Sequence, residues 1–189
     1  ASVGAANTPE SLWYSIAALR SSGYSFARVD ELLSLGGYYE AEQIIETPVD
    51  EISVDAPRST KINQVNTGDK TISLTISDAS DATNVRQILA NLADTDVKAT
   101  FFLNGLTDPD IIGEIIAQGH EIGNHTYTQD DATNLSIAEI EWELITMEEM
   151  VQNNSGVTSR PYFRAPMGET TDTILAVAAG LGYDYTIGW

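Results

Sequence analysis

From Lys70 onwards, short apolar runs alternate along the chain with segments whose apolar residues recur at helical spacing. This pattern predicts strands at 71–76, 99–103, 121–124, 162–164 and 183–189, and helices at 81–93, 110–118, 136–153 and 171–181. A capping box, Ser136 with Glu139, marks the start of the longest helix. Strands that alternate with helices indicate βα units, and therefore a mostly parallel sheet or barrel.

The first 35 residues predict a further helix and strand. Thr8-Pro9-Glu10 carries the signals of a helix start, which are a capping hydroxyl, a proline at the first helical position and an acid. The helix is predicted to run to about Ser22, because Gly23 is typical of a C-cap. Residues 24–29 then alternate like a short strand, and 30–35 predict one more helical turn.

Residues 36–60 have a different composition, with two adjacent glycines, two prolines and six acidic residues. We interpret them as a linker that crosses the surface, with a brief strand at Glu51–Val54. The predicted organisation is therefore an N-terminal helix and strand in 1–35, an acidic linker in 36–60, and a βα domain in 61–189.

Charge narrows the classes of partner. The 189 residues include 28 Asp and Glu against nine Lys and Arg, which gives a formal net charge of −19. Nucleic acids and anionic membranes would both be repelled by such a surface. No apolar run approaches the roughly 18 residues needed to span a bilayer. The N-terminus shows no signal-peptide pattern. Cysteine is absent, which excludes disulfides and thiolate metal sites.

Candidate chemistry gathers in loops that follow predicted strands. Asp78 follows the first strand, His125 lies in the segment GHEIGNHTYTQ after the third, and Arg164 follows the fourth. The carboxyl ends of parallel strands meet at one edge of a sheet or barrel, so these three side chains are expected to converge. An aspartate and a histidine can hold a divalent metal, with water in the open positions.

Three segments resemble the motifs of NodB-type polysaccharide deacetylases, which form carbohydrate esterase family 4. They are KTISLTISDAS with VKATFFLNG, then GHEIGNHTYT, then FRAPMG, and the similarity runs from about Asn63 to Trp189. The resemblance implies an α/β fold, a distorted (β/α) barrel that is here incomplete or circularly permuted. It also implies acetylated carbohydrate polymers as partners, and a divalent metal, zinc first, held by one Asp and two His.

Two positions depart from the family's motifs. The first motif, T-F-D-D-G, is read here as TISDA, so Ser77 replaces the aspartate that is the family's general base, while Asp78 keeps the metal-ligand position. In the second motif His125 keeps the first histidine, but Gln129 replaces the second. A glutamine carbonyl is a poor ligand for zinc.

Other site residues follow from the same resemblance. Arg164 keeps the family's arginine position, and Asp81 or Asp130 is a candidate replacement for the lost base or ligand. The resemblance also implies substrate contacts from four residues, Tyr127, Pro166, Met167 and Trp189. The family's general-acid histidine has no counterpart, because the only other histidine, His120, lies before a strand and is predicted to be structural.

The N-terminal segment 8–33 resembles the last helix and strand of the same family. The chain is then a circular permutant, or a slice across two tandem domains, or part of a longer protein.

The missing base, ligand and acid favour a catalytically degenerate deacetylase-like domain. The alternatives are an active deacetylase with altered ligands and a non-catalytic glycan-binding or structural module. Cofactor use is accordingly a divalent metal or none. The family's substrates imply an extracellular or cell-envelope location.

Overall fold

The structure, a computed structural model, describes residues 9–40, 52–53 and 55–188. Its helices are α1 Pro9–Ser21, α2 Val29–Leu35, α3 Ala82–Asp94, α4 Pro109–Ala117, α5 Ile137–Ser155 and α6 Asp172–Gly180. Its strands are β1 Ser25–Ala27, β2 Gly37–Glu40, β3 Thr60–Asn66, β4 Thr71–Ser73, β5 Thr75–Ser77, β6 Thr100–Leu103, β7 Glu121–Asn124, β8 Tyr162–Phe163 and β9 Tyr185–Ile187.

The strands form a curled and mostly parallel sheet. Within the described residues, seven strands are ordered β2-β3-β9-β8-β7-β6-β5, and every neighbouring pair except β2 with β3 is parallel. β4 directly precedes β5 in the chain and pairs in parallel with β1. The predicted α/β fold, an incomplete barrel of βα units, is therefore confirmed.

Two apolar layers hold this architecture together. Between the sheet and the outer helices, Phe101 of β6 packs with Leu89 of α3 and Ile112 of α4, all with 1% exposure or less. On the concave side, Phe102 packs with Ile62 and Ile187. Because β6 is buried on both faces, its sequence reads as a continuous apolar run, as expected for a central parallel strand.

The N-terminal segment packs against the same core. Ile16 of α1 is 1% exposed and belongs to the cluster formed by α3 and α4. β1 lies beside β4, and the Lys70 Nζ donates to the Ser22 carbonyl at 3.1 Å. The backbone N–H of Val29, the first residue of α2, donates to the Thr100 Oγ1 at 3.1 Å.

The segment interpreted as a linker contains regular structure at both ends. β2 and β3 pair in an antiparallel manner, with Gly37 opposite Asn66, and β3 continues the sheet beside β9. The strand predicted at Glu51–Val54 falls largely outside the described residues, and Ile52 and Ser53 are not in a strand. Thr8, the predicted helix cap, also lies outside the described residues.

Among the helices of the described chain, none combines the length and the apolar character needed to cross a bilayer.

Candidate functional site

The side chains that follow the parallel strands converge at one edge of the sheet. Asp78 follows β5, His125 follows β7 and Arg164 follows β8, and all three line a cavity of about 570 Å³. The Nε2 of His125 lies 3.9 Å from the Oδ1 of Asp78. The predicted convergence at the carboxyl ends of the strands is therefore what the structure shows.

Asp78 is surrounded by carboxamides. Its Oδ1 accepts a hydrogen bond from the Asn104 Nδ2 at 3.3 Å and a second one from the Nε2 of Gln129. The side chain of Asp78 is 58% exposed. Gln129 therefore reaches the cluster, and it satisfies the carboxylate that a second histidine would leave free for a cation.

His125 is buried and held in one orientation. Its Nδ1 lies 2.8 Å from the carbonyl oxygen of Arg164. A carbonyl only accepts, so Nδ1 carries the proton and the Nε2 lone pair faces Asp78. Burial lowers the pKa of His125, which outweighs the opposing effects of this hydrogen bond and of Asp78. The imidazole is therefore neutral and has the tautomer of a metal ligand.

Arg164 is the buried cation of the site, with 3% exposure. Its Nη1 donates to the Ser77 Oγ at 3.1 Å and its Nη2 to the Thr75 Oγ1 at 3.0 Å. Its guanidinium also lies 4.1 Å from the centre of the Phe102 ring. Burial lowers the pKa of Arg164 to about 10, against the opposing effect of Asp78, so the group stays charged at neutral pH.

Ser77 accordingly presents a hydroxyl to Arg164 at the position where the first sequence motif has a carboxylate. A hydroxyl bonded to a cation cannot take a proton from water at neutral pH without a base of its own. The structure thus shows a site arginine whose partner in β5 is neutral.

The loops of the site have a special backbone geometry. Asp78, Thr126, Gln129 and Met167 all have positive φ, between 58° and 66°. Non-glycine residues in this region are uncommon, and such strain costs about 1–3 kcal/mol per residue. Backbone conformations of this kind are found most often at functional sites.

The remaining predicted residues lie at varied distances from this cluster. Asp81 is the N-cap of α3 and accepts from the backbone N–H groups of Thr83 and Asn84, so its carboxylate is committed to the helix. Asp130 is exposed. Pro166 is buried, and Met167 is 70% exposed at the mouth of the cavity. Trp189 lies outside the described residues.

Tyr127 is half-buried beside the site. Its ring meets Trp142 of α5 edge to face, with 5.6 Å between the ring centres. His120, predicted to be structural, is confirmed as such, because its Nδ1 accepts from the Ala99 N–H at 3.2 Å and its burial lowers its pKa to about 4.

Sequence reasoning missed two residues that fix the site. Asn104 follows β6 and contacts Asp78. Glu143 of α5 is 4% exposed and accepts from the backbone N–H groups of Tyr127 and Thr128 at 2.7 and 2.8 Å. A signal for Glu143 exists in the helical pattern, because it stands three residues after the buried Ile140 and therefore on the apolar face.

The donor set does not fit a resident zinc ion. Within the part of the chain that the structure describes, no group of three or more His, Asp or Glu residues could hold a metal. Asp78 and His125 supply two ligands, and the third candidate, the carboxamide of Gln129, is a weak one for zinc.

Comparisons with known proteins point to one group of enzymes. The sequence model of the polysaccharide deacetylase family matches residues 64–186. The peptidoglycan-N-acetylglucosamine deacetylase of Bacillus cereus is 30% identical over 129 residues, which cover 67% of this chain and 59% of that protein. The chain spans about half the length of the first curated relatives it matches, between 44% and 59%.

Solved structures agree with this similarity. A pseudoenzyme of carbohydrate esterase family 4 from Bacillus anthracis is 30% identical, with a TM-score of 0.64 over 69% of this chain and 47% of that one. A mutant of that pseudoenzyme, 32% identical here, is described as having restored enzymatic activity. A family 4 acetyl xylan esterase from Clostridium thermocellum, solved with a cobalt ion, is 32% identical, with a TM-score of 0.51 over 54% of this chain and 51% of that one.

Proposed function

The chain belongs to the polysaccharide deacetylase family, and we propose that this domain binds a carbohydrate polymer without deacetylating it. The observation that carries the proposal is the pair of substitutions within an otherwise assembled site. Ser77 and Gln129 stand at two of the positions that the family's chemistry uses, while Asp78, His125 and Arg164 keep theirs. The scaffold of the site is retained, but its proton acceptor and one strong ligand are not.

The site lacks the general base that the family's first motif supplies. Loss of a general base costs about 10²–10⁴ in rate. No carboxylate replaces it at Ser77, whose Oγ accepts from Arg164. Asp78 directly follows Ser77 in the chain, and its Oδ1 is already bonded by Gln129 and Asn104.

The set of residues that could hold a metal ion also differs from that of the family's motifs. A divalent metal, where it is held, acts as a Lewis acid and activates water. Asp78 and His125 would supply two ligands to such an ion, and the neutral His125 keeps its Nε2 available. With Gln129 as the third donor we expect weak affinity, and we route no step of a reaction through a metal in this site.

The chain's own residues remain suited to holding a ligand. Arg164, Ser77 and Asp78 offer hydrogen-bonding groups to the cavity, and Ile62 and Ile187 add apolar groups to its lining. Ligand sites of this kind combine a largely apolar lining with a few oriented polar groups. The relative named above acts on peptidoglycan, and we infer an acetylated glycan as ligand and an extracellular or cell-envelope location.

The runner-up is an active deacetylase with altered ligands, and the assembled Asp78, His125 and Gln129 are the observation that favours it. Zinc titration by calorimetry separates the two. We expect no binding tighter than about millimolar, about 4 kcal/mol. Sub-micromolar binding would favour the active enzyme.

Binding of acetylated chito-oligomers, measured by calorimetry on the same protein, tests the glycan part. Binding without release of acetate supports the proposal. If the chain binds neither an acetylated nor a de-N-acetylated oligomer, the glycan-binding proposal is wrong and a structural module remains.

A further inference from the structure

An exposed group of apolar side chains borders the candidate site. Trp142 of α5 is 52% exposed and Leu106, after β6, is 67% exposed, while Tyr127 lies between them and meets the Trp142 ring edge to face. We call these three residues the aromatic shelf. Exposed aromatic residues grouped in this way mark interaction surfaces more often than scattered ones do.

The aromatic shelf is held rigidly. Tyr127 is anchored through its N–H to the buried carboxylate of Glu143 at 2.7 Å, and its carbonyl accepts from the Gly105 N–H at 2.8 Å. A Cβ at Gly105 would lie 2.6 Å from the Tyr127 ring, so the ring rests directly on the backbone. A surface whose rotamers are already fixed loses little entropy when a ligand binds.

One shelf residue belongs to a loop of the candidate site. Tyr127 stands two residues after His125 and two residues before Gln129, in the loop that carries both. The Tyr127 ring in turn meets the Trp142 ring, so the shelf connects this loop to α5.

The charge around the shelf has one sign. The segment 99–159, which contains all three shelf residues, has 11 Asp and Glu and no Lys or Arg. Four of these acids are exposed and lie within a few residues of the shelf, namely Asp108, Asp130, Glu139 and Glu141. Acidic surroundings repel anionic polymers and favour a cationic ligand.

We propose that the aromatic shelf binds glycans rich in free glucosamine, the de-N-acetylated and cationic form of the polymer. This inference rests on the proposed glycan-binding function and names its preferred ligand. An ammonium group placed over a tryptophan face is attracted by the negative face of the ring. The surrounding carboxylates add a long-range attraction that a neutral N-acetylglucosamine unit does not experience. The shelf thus favours the deacetylated units of a glycan over its acetylated units.

Calorimetric titration of the full chain with a glucosamine hexamer and with an N-acetylglucosamine hexamer tests this preference. The measurement is made at mildly acidic pH, where the amines are protonated. We expect the glucosamine hexamer to bind at least about tenfold more tightly at low salt, since several charge pairs contribute. The advantage should vanish between about 0.01 M and about 1 M salt, where the Debye length falls from about 30 Å to about 3 Å.

The outcomes separate the two proposals. Equal binding of both hexamers, or tighter binding of the acetylated one, overturns the preference for glucosamine and leaves the glycan-binding function intact. Binding of neither hexamer overturns both.

A matched pair of variants locates the binding surface. Trp142→Ala should weaken binding of the glucosamine hexamer by at least about fivefold. Trp13→Ala, on α1 and 43% exposed, removes a comparable exposed ring far along the chain and should leave the affinity unchanged. Thermal melting checks that both variants are folded. Unchanged affinity in a folded Trp142→Ala variant would exclude the shelf.

Discussion

At the scale of single residues, the polar contacts of the site have been rearranged rather than lost. Arg164 donates to hydroxyls in β5, and the carboxylate of Asp78 is bonded by two carboxamides. The charged groups of the site therefore keep hydrogen-bond partners although Ser77 and Gln129 differ from the family's motifs. Burial of a charge without such partners would be costly.

The double substitution Ser77→Asp with Gln129→His should create a metal site. The first change places a carboxylate beside Arg164, and the second supplies an imidazole at a position with positive φ, which histidine tolerates. Zinc affinity should rise to about micromolar or tighter, about 8 kcal/mol, by calorimetry.

The matched control for that variant is Asp78→Asn in the same double background, which should abolish the gain. If the double variant binds zinc no better than the native chain, the assignment of these positions to the family's motifs is wrong.

Glu143→Ala should destabilise the fold although the residue is charged. The N–H groups of Tyr127 and Thr128 lose their acceptor, which costs about 1–3 kcal/mol for each group, so we expect the free energy of urea unfolding to fall by about 2–6 kcal/mol. Glu141→Ala, two residues away and exposed, should change stability by no more than about 0.5 kcal/mol. Equal effects of the two variants would contradict the anchoring role of Glu143.

At the scale of elements, the strands with buried side chains were predictable from the sequence and β3 was not. β6 and β7 carry buried side chains, so their pattern specifies them. β3, with the sequence TKINQVN, alternates weakly, and it is stabilised by hydrogen bonds to β2 and β9 on both sides, which no local pattern reveals. The strand propensity of a sequence reflects how its side chains pack, and it does not show which strands will lie beside it.

The candidate site was also predictable only in part. The convergence of Asp78, His125 and Arg164 follows from their places after parallel strands. The contact of Asn104 with Asp78 and the positive φ of Thr126 depend on three-dimensional positions, so the sequence alone did not reveal them.

Glu121, at the start of β7, should make stability pH-dependent. Burial raises its pKa to about 7, against the Thr100 Oγ1 that donates to it at 2.7 Å and, more weakly, against Arg28. The folded state therefore binds a proton that the unfolded state releases above its ordinary value of 4.5. Stability from this group is present at low pH and is lost as the pH rises from about 4.5 to about 7.

Glu121→Gln removes this dependence. Relative to the native chain, the variant should gain stability progressively between pH 4.5 and pH 7, by at most about 3 kcal/mol. The comparison of the two proteins cancels His120, whose pKa is lowered to about 4 by burial and whose effect on stability has the opposite sign. A difference in urea unfolding free energy that does not change with pH would contradict the raised pKa.

At the scale of the whole molecule, the N-terminal segment adds a strand beside β4 and a helix beside α3. β1 is parallel to β4, whose chain continues into the strand before Asp78, and α1 covers α3. In a closed (β/α) barrel the last strand lies beside the first. We propose that residues 9–35 take the place of that last unit.

Ile16→Ala tests whether this segment is an integral part of the domain. Its side chain is 1% exposed, so truncation should cost about 2–5 kcal/mol and shift a single cooperative urea transition followed by circular dichroism. Leu35→Ala, 56% exposed in α2, serves as the control with little expected change. A separate early transition for α1, with the main midpoint unchanged, would show that the segment is an independent appendage.

The central claim is that this member of the family retains the scaffold of the site without its catalytic chemistry. Acetate release from acetylated chito-oligomers, measured with the purified chain in excess zinc, tests it most directly. We predict release no faster than in the protein-free blank. Zinc-dependent release that Asp78→Asn abolishes would contradict the claim.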